Sequence, residues 1–208
     1  MPTPQKSTYH HGDLRNALIR EAVTVIGEQG LEGVTMRRLS ERIGVSRTAA
    51  YRHFADKQML LRAVAEEGFL RFRKALRAGR ERYPDDPRLA FRAMGSAYLR
   101  FALDHPTYYR LMFYDTLPPE EPPGSLEAAA EAAFTELVEA LRALHGPEGE
   151  STEALGREAI FVWSAVHGFA TLVADKKLPK ALLDDSLQSD LLNRILVSVS
   201  PLSHSRVE

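Results

Sequence analysis

The stretch "GVSRTAAYRHFADKQMLL", residues 44–61, decides the fold of this chain. It begins with a glycine turn, continues through basic and aromatic side chains, and ends as an ordinary amphipathic helix. Gly44 suits a left-handed helix end because it has no Cβ, and Ser46 is a favoured N-cap for a following helix. The stretch therefore predicts the turn and third helix of a helix-turn-helix, two short helices joined by a tight turn.

The third predicted helix has a small inner side and a polar outer side. Val45, Ala50 and Phe54 are sufficient to pack it against its neighbours, and Ala49 keeps it narrow enough for a DNA major groove. The other side chains then point outward: Arg47, Thr48, Tyr51 and Arg52. A plain capped helical hairpin does not explain why the most exposed turn is also the most basic, so we predict a surface that contacts DNA.

The apolar spacing predicts an all-α fold of about nine helices, with no alternating strand pattern. Thr35 and Asp56 are the predicted N-caps of the second and fourth helices, and Asp86 precedes a proline at the start of the fifth. The last three helices are predicted at residues 125–145, 152–177 and 187–199.

Charge divides the chain into two parts. The net charge is −1, but residues 1–60 carry nine Lys and Arg against six Asp and Glu. A basic segment on a neutral chain is typical of a nucleic-acid-binding module. We predict a helix-turn-helix DNA-binding domain at residues 1–60, with an N-terminal arm at 1–11, and an effector-binding and dimerisation domain at 61–208. The arginines between residues 71 and 82 are predicted to face solvent rather than to form a second DNA site.

Several function classes find no support in the sequence. Cysteine is absent, so disulfides, thiolate metal sites and cysteine nucleophiles are excluded. There is no apolar run of bilayer length and no signal-peptide core, so we expect a cytoplasmic protein with no membrane partner. No phosphate-binding loop or paired nucleophile and base occurs, so we expect neither an enzyme nor a cofactor. A metal site that combines His105, His145 or His167 with carboxylates stays an alternative, although no metal is expected.

The segment "VTMRRLSERIGVSRTAAYRHFADKQMLL", residues 34–61, resembles the DNA-binding domain of the TetR family of bacterial transcriptional regulators. The resemblance covers roughly residues 12–62. It rests on Gly44-Val45-Ser46 at the turn, on the Tyr51 to Phe54 element, and on Asp56-Lys57 at the start of the fourth helix. The chain departs from the family at residues 48–50, where Thr-Ala-Ala stands near the base edges. The family's operator sequence therefore cannot be transferred to this chain.

The resemblance implies a role for individual residues. Tyr51, His53 and Lys57 would hold phosphates, and Arg47 and Thr48 would read base edges, where arginine contacts guanine with two hydrogen bonds. Thr35 and Arg37, at the start of the second helix, would contact the DNA backbone. The full predicted DNA-binding set is Thr35, Arg37, Ser46, Arg47, Thr48, Ala49, Tyr51, Arg52, His53 and Lys57. The segment with Lys6, His10 and His11 is either an arm along the DNA or a disordered tail.

The C-terminal half is rich in aromatic and methionine side chains. Most of them belong to the core, but such a bundle is also suited to hold a small apolar or aromatic ligand. The resemblance implies an effector pocket between the middle helices, and it leaves the effector unknown. The predicted pocket residues are Phe91, Met94, Tyr98, Phe101, Tyr109, Met112, Phe113, Phe134, Trp163 and His167.

The segment "FVWSAVHGFATL", residues 161–172, is similar to the Trp-x-x-x-His-Gly signature of the WHG subgroup of TetR regulators. Ser164 and Gly168 are small residues four apart, which lets two helices approach closely. Family members dimerise through their last two helices, so the resemblance implies a homodimer. The predicted interface residues are Ser164, Gly168, Thr171, Leu191 and Ile195. Three interpretations of His167 stay open: a pocket residue, an interface residue, or a core histidine bonded to backbone.

These observations lead to one main hypothesis and two alternatives. The main hypothesis is a repressor that binds near-palindromic double-stranded operator DNA as a homodimer and is released by a small ligand. An all-helical enzyme would need facing acid and base groups in a cleft, and none is identifiable in the sequence. A DNA-binding architectural protein would have a filled C-terminal core.

Overall fold

The computed structural model describes residues 11–113, 117, 120, 122–146, 151–178 and 185–199. Within these residues the fold is all α, as predicted, with nine helices and no strand. The helices are α1 (His11–Gln29), α2 (Met36–Ile43), α3 (Arg47–Tyr51), α4 (Lys57–Arg80), α5 (Pro87–Asp104), α6 (Pro106–Met112), α7 (Ser125–His145), α8 (Thr152–Ala174) and α9 (Asp185–Val199).

Side chains at the predicted positions cap the short N-terminal helices. The Thr35 hydroxyl accepts from the Arg38 amide at 3.1 Å, and the Ser46 hydroxyl accepts from the Ala49 amide at 3.2 Å. Gly44 ends α2 with φ 73°, a conformation that strains any residue with a Cβ. These local bonds satisfy amides that have no partner within the helix, and they set the sharp angle between α2 and α3.

Helices α1 to α3 and the first turns of α4 share one apolar core. Leu18, Val25, Leu39, Ala50 and Leu60 are all completely buried. Burying a side chain of the size of leucine or valine is worth about 1.5–3 kcal/mol. The core therefore holds α3 by its small inner side and leaves its outer side free.

Helix α4 belongs to both predicted domains. It runs without interruption through residues 60–61, the predicted domain boundary, over a length of about 36 Å. It packs against α1 on the N-terminal side and against α5, α6 and α7 on the C-terminal side. Gly79 allows α5 to approach closely, because a Cβ at this position would lie 2.9 Å from the Ala93 carbonyl oxygen.

Ion pairs of one buried carboxylate join α4 to α7. The Glu136 side chain is buried and accepts hydrogen bonds from Arg73, Arg77 and Arg80 at 3.0, 2.6 and 3.0 Å. Burial acts to raise the pKa of Glu136, but these guanidinium groups more than offset it and hold the pKa below its usual value. Three of the arginines that were predicted to face solvent are thus partly exposed and at the same time pair with α7. The sequence pattern did not reveal this, because Glu136 is about sixty residues away in the chain.

Candidate functional site

Helix α3 presents a cationic outer side, as its pattern predicted. Arg47, Thr48, Tyr51 and Arg52 are exposed, and the Tyr51 side chain is 51% accessible. On the opposite side Ala50 is fully buried. The partly buried Ala49 lies between the two sides and leaves α3 narrow.

The residues around α3 differ in how free they are to contact a phosphate. Arg37 is exposed, and its Nε donates to Glu41 at 2.8 Å, so a phosphate would have to replace this carboxylate. The hydroxyls of Thr35 and Ser46 act as helix caps. His53 is half-buried at the end of α3.

Lys57 occupies the first position of α4, next to the free amides of its N-terminus. Its Nζ donates to the Leu31 carbonyl at 2.7 Å, and the side chain is half-buried. An ammonium group has three donors, so two of them are left for a phosphate. The predicted arm at residues 1–10, and the His11 side chain, lie outside what the structure describes.

A cavity of about 390 Å³ lies in the C-terminal part of the protein between α4, α5, α7, α8 and α9. Six of the ten predicted pocket residues line it: Phe91, Met94, Tyr98, Phe113, Phe134 and Trp163. The prediction missed the other lining residues, which include Phe69, Phe72, Leu76, Gly95, Glu131, Val162, Leu192 and Ile195. The two phenylalanines of α4 are three residues apart, which was a visible signal, whereas nothing local indicated the α9 residues.

Two of the remaining predicted pocket residues lie in the packed core. Phe101 is buried against Phe72, with ring centroids 5.1 Å apart. Met112 is buried and packs close to Gly68. Neither side chain is among those that line the cavity of 390 Å³.

The last two, Tyr109 and His167, form a polar cluster with Tyr98 at the edge of the cavity. His167 Nδ1 lies 2.8 Å from the Tyr109 hydroxyl and 3.1 Å from the Tyr98 hydroxyl. The two hydroxyls are 3.2 Å apart. Burial lowers the pKa of His167 and raises the pKa of Tyr109, so all three groups are favoured in their neutral forms.

A groove of about 410 Å³ lies on the other side of this cluster. Tyr109, His167 and Thr171 form one part of its wall, and Ile26 and Leu31 of the N-terminal part form another. The cluster thus stands between the inner cavity and the junction with the helix-turn-helix. Phe113 lines both spaces.

The predicted interface residues do not all lie on one face. Ser164 is exposed, and Gly168 has open space where a Cβ would stand. Thr171 and Leu191 are half-buried, and Thr171 borders the junction groove. Ile195 is only 4% exposed and lines the cavity. Its prediction as an interface residue needs correction, because α9 turns this side chain toward α5 and the interior.

Exposed apolar residues surround Ser164 and Gly168. Ile160 and Leu172 lie four residues before and after them, 56% and 41% exposed, and continue the same stripe of α8. Phe161 on α8 and Val197 on α9 are 53% and 70% exposed. A group of exposed apolar side chains of this kind is typical of an interaction site.

The described residues provide neither a metal-binding cluster nor a bilayer-spanning helix. No group of three His, Cys, Asp or Glu side chains is arranged to hold a metal ion there. Of the histidines that were considered for metal binding, His145 pairs with Glu158 at 2.8 Å and His167 with the two tyrosines. No helix in this part of the chain combines the length and the apolar character needed to cross a bilayer.

The fold and its sites define a helix-turn-helix protein whose helical body encloses an apolar cavity. A sequence model of bacterial regulatory proteins of the tetR family matches residues 18–64, and one of the tetracyclin repressor-like C-terminal domain matches residues 91–196. The second match alone covers half of the sequence, and the chain belongs to the TetR family.

Individual relatives agree with this assignment. The class C tetracycline repressor protein of Escherichia coli is 50% identical over 52 residues, which are 25% of this chain and 24% of the repressor. An uncharacterized HTH-type transcriptional regulator of Mycobacterium tuberculosis is 27% identical over 161 residues, covering 76% of this chain and 69% of that protein. The chain thus matches about a quarter of the length of the tetracycline repressors.

A solved structure extends the similarity to nearly the whole chain. It is that of a protein of unknown function from Rhodococcus sp. RHA1, which is 30% identical to this chain with a TM-score of 0.74. The match covers 93% of this chain and 97% of that protein.

Proposed function

We propose that this protein is a non-enzymatic transcriptional repressor that binds a near-palindromic operator as a homodimer and leaves it when a small apolar or aromatic ligand enters the C-terminal cavity. The observation that carries the proposal is the exposed cationic side of α3 over a small, fully buried inner side. Family membership supports the same conclusion, and the model of bacterial regulatory proteins of the tetR family matches residues 18–64, which include α3.

The roles on DNA are assigned by position. Arg47 and Thr48, in the first turn of α3, would reach base edges in the major groove. Tyr51, Arg52, His53 and Lys57 would contact phosphates, as would Thr35 and Arg37 at the start of α2. Such contacts fix the position of the protein on the duplex, whereas base contacts choose the sequence.

The second copy would pack on the exposed stripe of α8 and on α9. Ser164 and Gly168 allow close approach, and Ile160, Phe161 and Leu172 supply apolar area. The two helix-turn-helix domains, related by a two-fold axis, would then enter successive major grooves roughly 34–36 Å apart. The Trp163, His167 and Gly168 signature supports placing the chain in the WHG subgroup.

Release requires that the ligand bind more tightly to the conformation in which the two helix-turn-helix domains no longer fit the DNA. Helix α4 is the direct connection, since it begins at Lys57 beside the DNA and lines the cavity with Phe69 and Phe72. A change from mostly bound to mostly free needs a difference in affinity of roughly 10⁴-fold. The cavity favours this function over an architectural role, for which a filled body is expected.

Selection of bound duplexes from a random-sequence library tests the proposal. We expect a near-palindromic site, bound by two chains as measured by native mass spectrometry. Enrichment of no sequence, or binding by a single chain, would contradict it.

A further inference from the structure

The lining of the cavity is almost entirely apolar, and we propose that the corner at the Tyr98 hydroxyl selects the effector. The proposed ligand is a neutral, mainly apolar molecule that places one hydroxyl or carbonyl oxygen on the Tyr98 hydroxyl, while carboxylates are rejected. The inference rests on the proposed effector role of the cavity and goes further by naming the chemical class of the ligand.

Polar groups are unevenly distributed around the cavity. Its walls are mainly apolar side chains from five helices, and no Lys, Arg or His belongs to the lining among the residues that the structure describes. Glu131 is the one charged residue in the described part of the lining; it is exposed on α7 and therefore lies at the solvent side. Tyr98 is the buried polar residue of the lining, with 7% of its surface accessible. An oxygen on the ligand therefore has Tyr98 as its buried partner.

Hydrogen bonding at Tyr98 leaves capacity for such an oxygen. When His167 carries its proton on Nε2, Nδ1 accepts from Tyr109 and the Tyr98 hydroxyl donates to Tyr109. The Tyr98 oxygen, which also accepts from the Trp163 indole, then has one lone pair left for a ligand hydroxyl. When Nδ1 carries the proton, Nδ1–H donates to Tyr109, Tyr109 donates to Tyr98, and the Tyr98 proton is free for a ligand carbonyl. The three groups can thus serve either kind of neutral oxygen.

The electrostatics of the corner disfavour an anion. Burial keeps His167 neutral by lowering its pKa, and it raises the pKa of Tyr98 with a smaller opposing effect from the Trp163 indole. A carboxylate would therefore lose its hydration without gaining a counter-ion, which is costly in an apolar cavity. Glu131 adds repulsion at the solvent side. A neutral oxygen avoids both penalties.

Three two-ring probes that differ in one substituent test the proposal: naphthalene, 2-naphthol and 2-naphthoate. Binding to the full-length protein is measured by calorimetry at pH 7.5. We expect 2-naphthol to bind about fivefold more tightly than naphthalene, the gain of one net hydrogen bond. We expect 2-naphthoate to bind at least about tenfold more weakly than naphthalene.

Two tyrosine variants test whether the preference for 2-naphthol over naphthalene depends on the Tyr98 hydroxyl. Tyr98→Phe should remove the advantage of 2-naphthol over naphthalene and leave naphthalene affinity within about twofold. Tyr108→Phe is the matched control, because Tyr108 is also buried but stacks under Arg71 and does not line the cavity. It should keep the full preference. Thermal melting of both variants shows whether they are folded.

The outcomes separate the ligand class from the effector role. Tightest binding of 2-naphthoate, or an unchanged preference in Tyr98→Phe, overturns the proposed class, as does the absence of binding by all three probes. Binding with the expected preference supports the class. If saturating 2-naphthol then leaves DNA affinity unchanged, the result counts against the effector role and not against the ligand class.

Discussion

Lys57 and Leu31 are joined by a hydrogen bond of 2.7 Å between the lysine ammonium and the leucine carbonyl. It connects the first residue of the long helix α4 to the turn that precedes α2. The same ammonium group is predicted to hold a DNA phosphate. A movement of α4 would therefore displace both the phosphate contact and the support of the helix-turn-helix.

Replacing Lys57 with Ala should weaken binding to all DNA sequences by a similar factor. The slope of log affinity against log salt should become shallower by about one, because one fewer counterion is released. Fluorescence anisotropy at several salt concentrations measures both. Lys74→Ala is the control, since this exposed lysine lies about 25 Å further along α4. An unchanged slope in Lys57→Ala would remove Lys57 from the phosphate contacts.

Arg47→Ala should relax sequence preference. A two-bond contact to guanine contributes roughly 1–3 kcal/mol of discrimination, so the ratio of specific to non-specific affinity should fall about 5- to 150-fold. Competition between the selected operator and a scrambled duplex gives this ratio. Arg52→Ala, assigned to phosphate, should weaken both duplexes alike. If both variants changed the ratio of specific to non-specific affinity equally, the assignment of base reading to Arg47 would be wrong.

Gly168→Leu should produce monomers with weak operator binding. Within one protomer a Cβ at this position meets open space, so the leucine should block the partner without disturbing the fold. Sedimentation velocity reports the oligomeric state. Ala78→Leu on the exposed side of α4 adds comparable apolar area and should stay dimeric. A dimeric Gly168→Leu protein would place the interface elsewhere.

Substitution by alanine should change the free energy of unfolding in opposite directions at Gly79 and Gly156. At Gly79 a Cβ would lie 2.9 Å from the Ala93 carbonyl oxygen and 3.1 Å from the Met94 Cα, so Gly79→Ala should destabilise by about 1–3 kcal/mol. Gly156 lies within α8 with open space around it, so Gly156→Ala should stabilise by roughly 0.5–1 kcal/mol. Urea denaturation measures the free energy of unfolding of both variants. Destabilisation by Gly156→Ala would mean that a second copy occupies that space.

Glu127 should contribute to the acid sensitivity of the protein. Arg62 donates to it at 2.7 and 2.9 Å and lowers its pKa to about 2 from an ordinary 4.5. A lowered pKa stabilises the folded state above pH 4.5, and this stabilisation is lost as the pH falls toward 2. Glu127→Gln should therefore make the melting temperature less dependent on pH below about 5. Glu131→Gln, at an exposed residue of the same helix, is the control. Its melting temperature should depend on pH as in the original protein.

The caps and turns were predictable from short segments of sequence. Thr35, Ser46, Asp56 and Asp86 all accept hydrogen bonds from amides two or three residues further along the chain. Such bonds depend on the local backbone alone, so residue type and spacing are sufficient to predict them. The exposed side of α3 was predictable for a similar reason, since its small inner residues left only one way to pack it.

Contacts between distant helices were decided by the tertiary structure. Ile195 lines the cavity instead of the outer face, and Glu136 pairs with three partly exposed arginines of α4. His167 joins Tyr98 and Tyr109 across about sixty residues of sequence. A helical repeat shows that a face is apolar, but not which helix covers it or in which register. The sequence by itself therefore determined the helices, the caps of the short helices and the exposed cationic side of α3, whereas the cavity and the corner at the Tyr98 hydroxyl exist only through long-range packing.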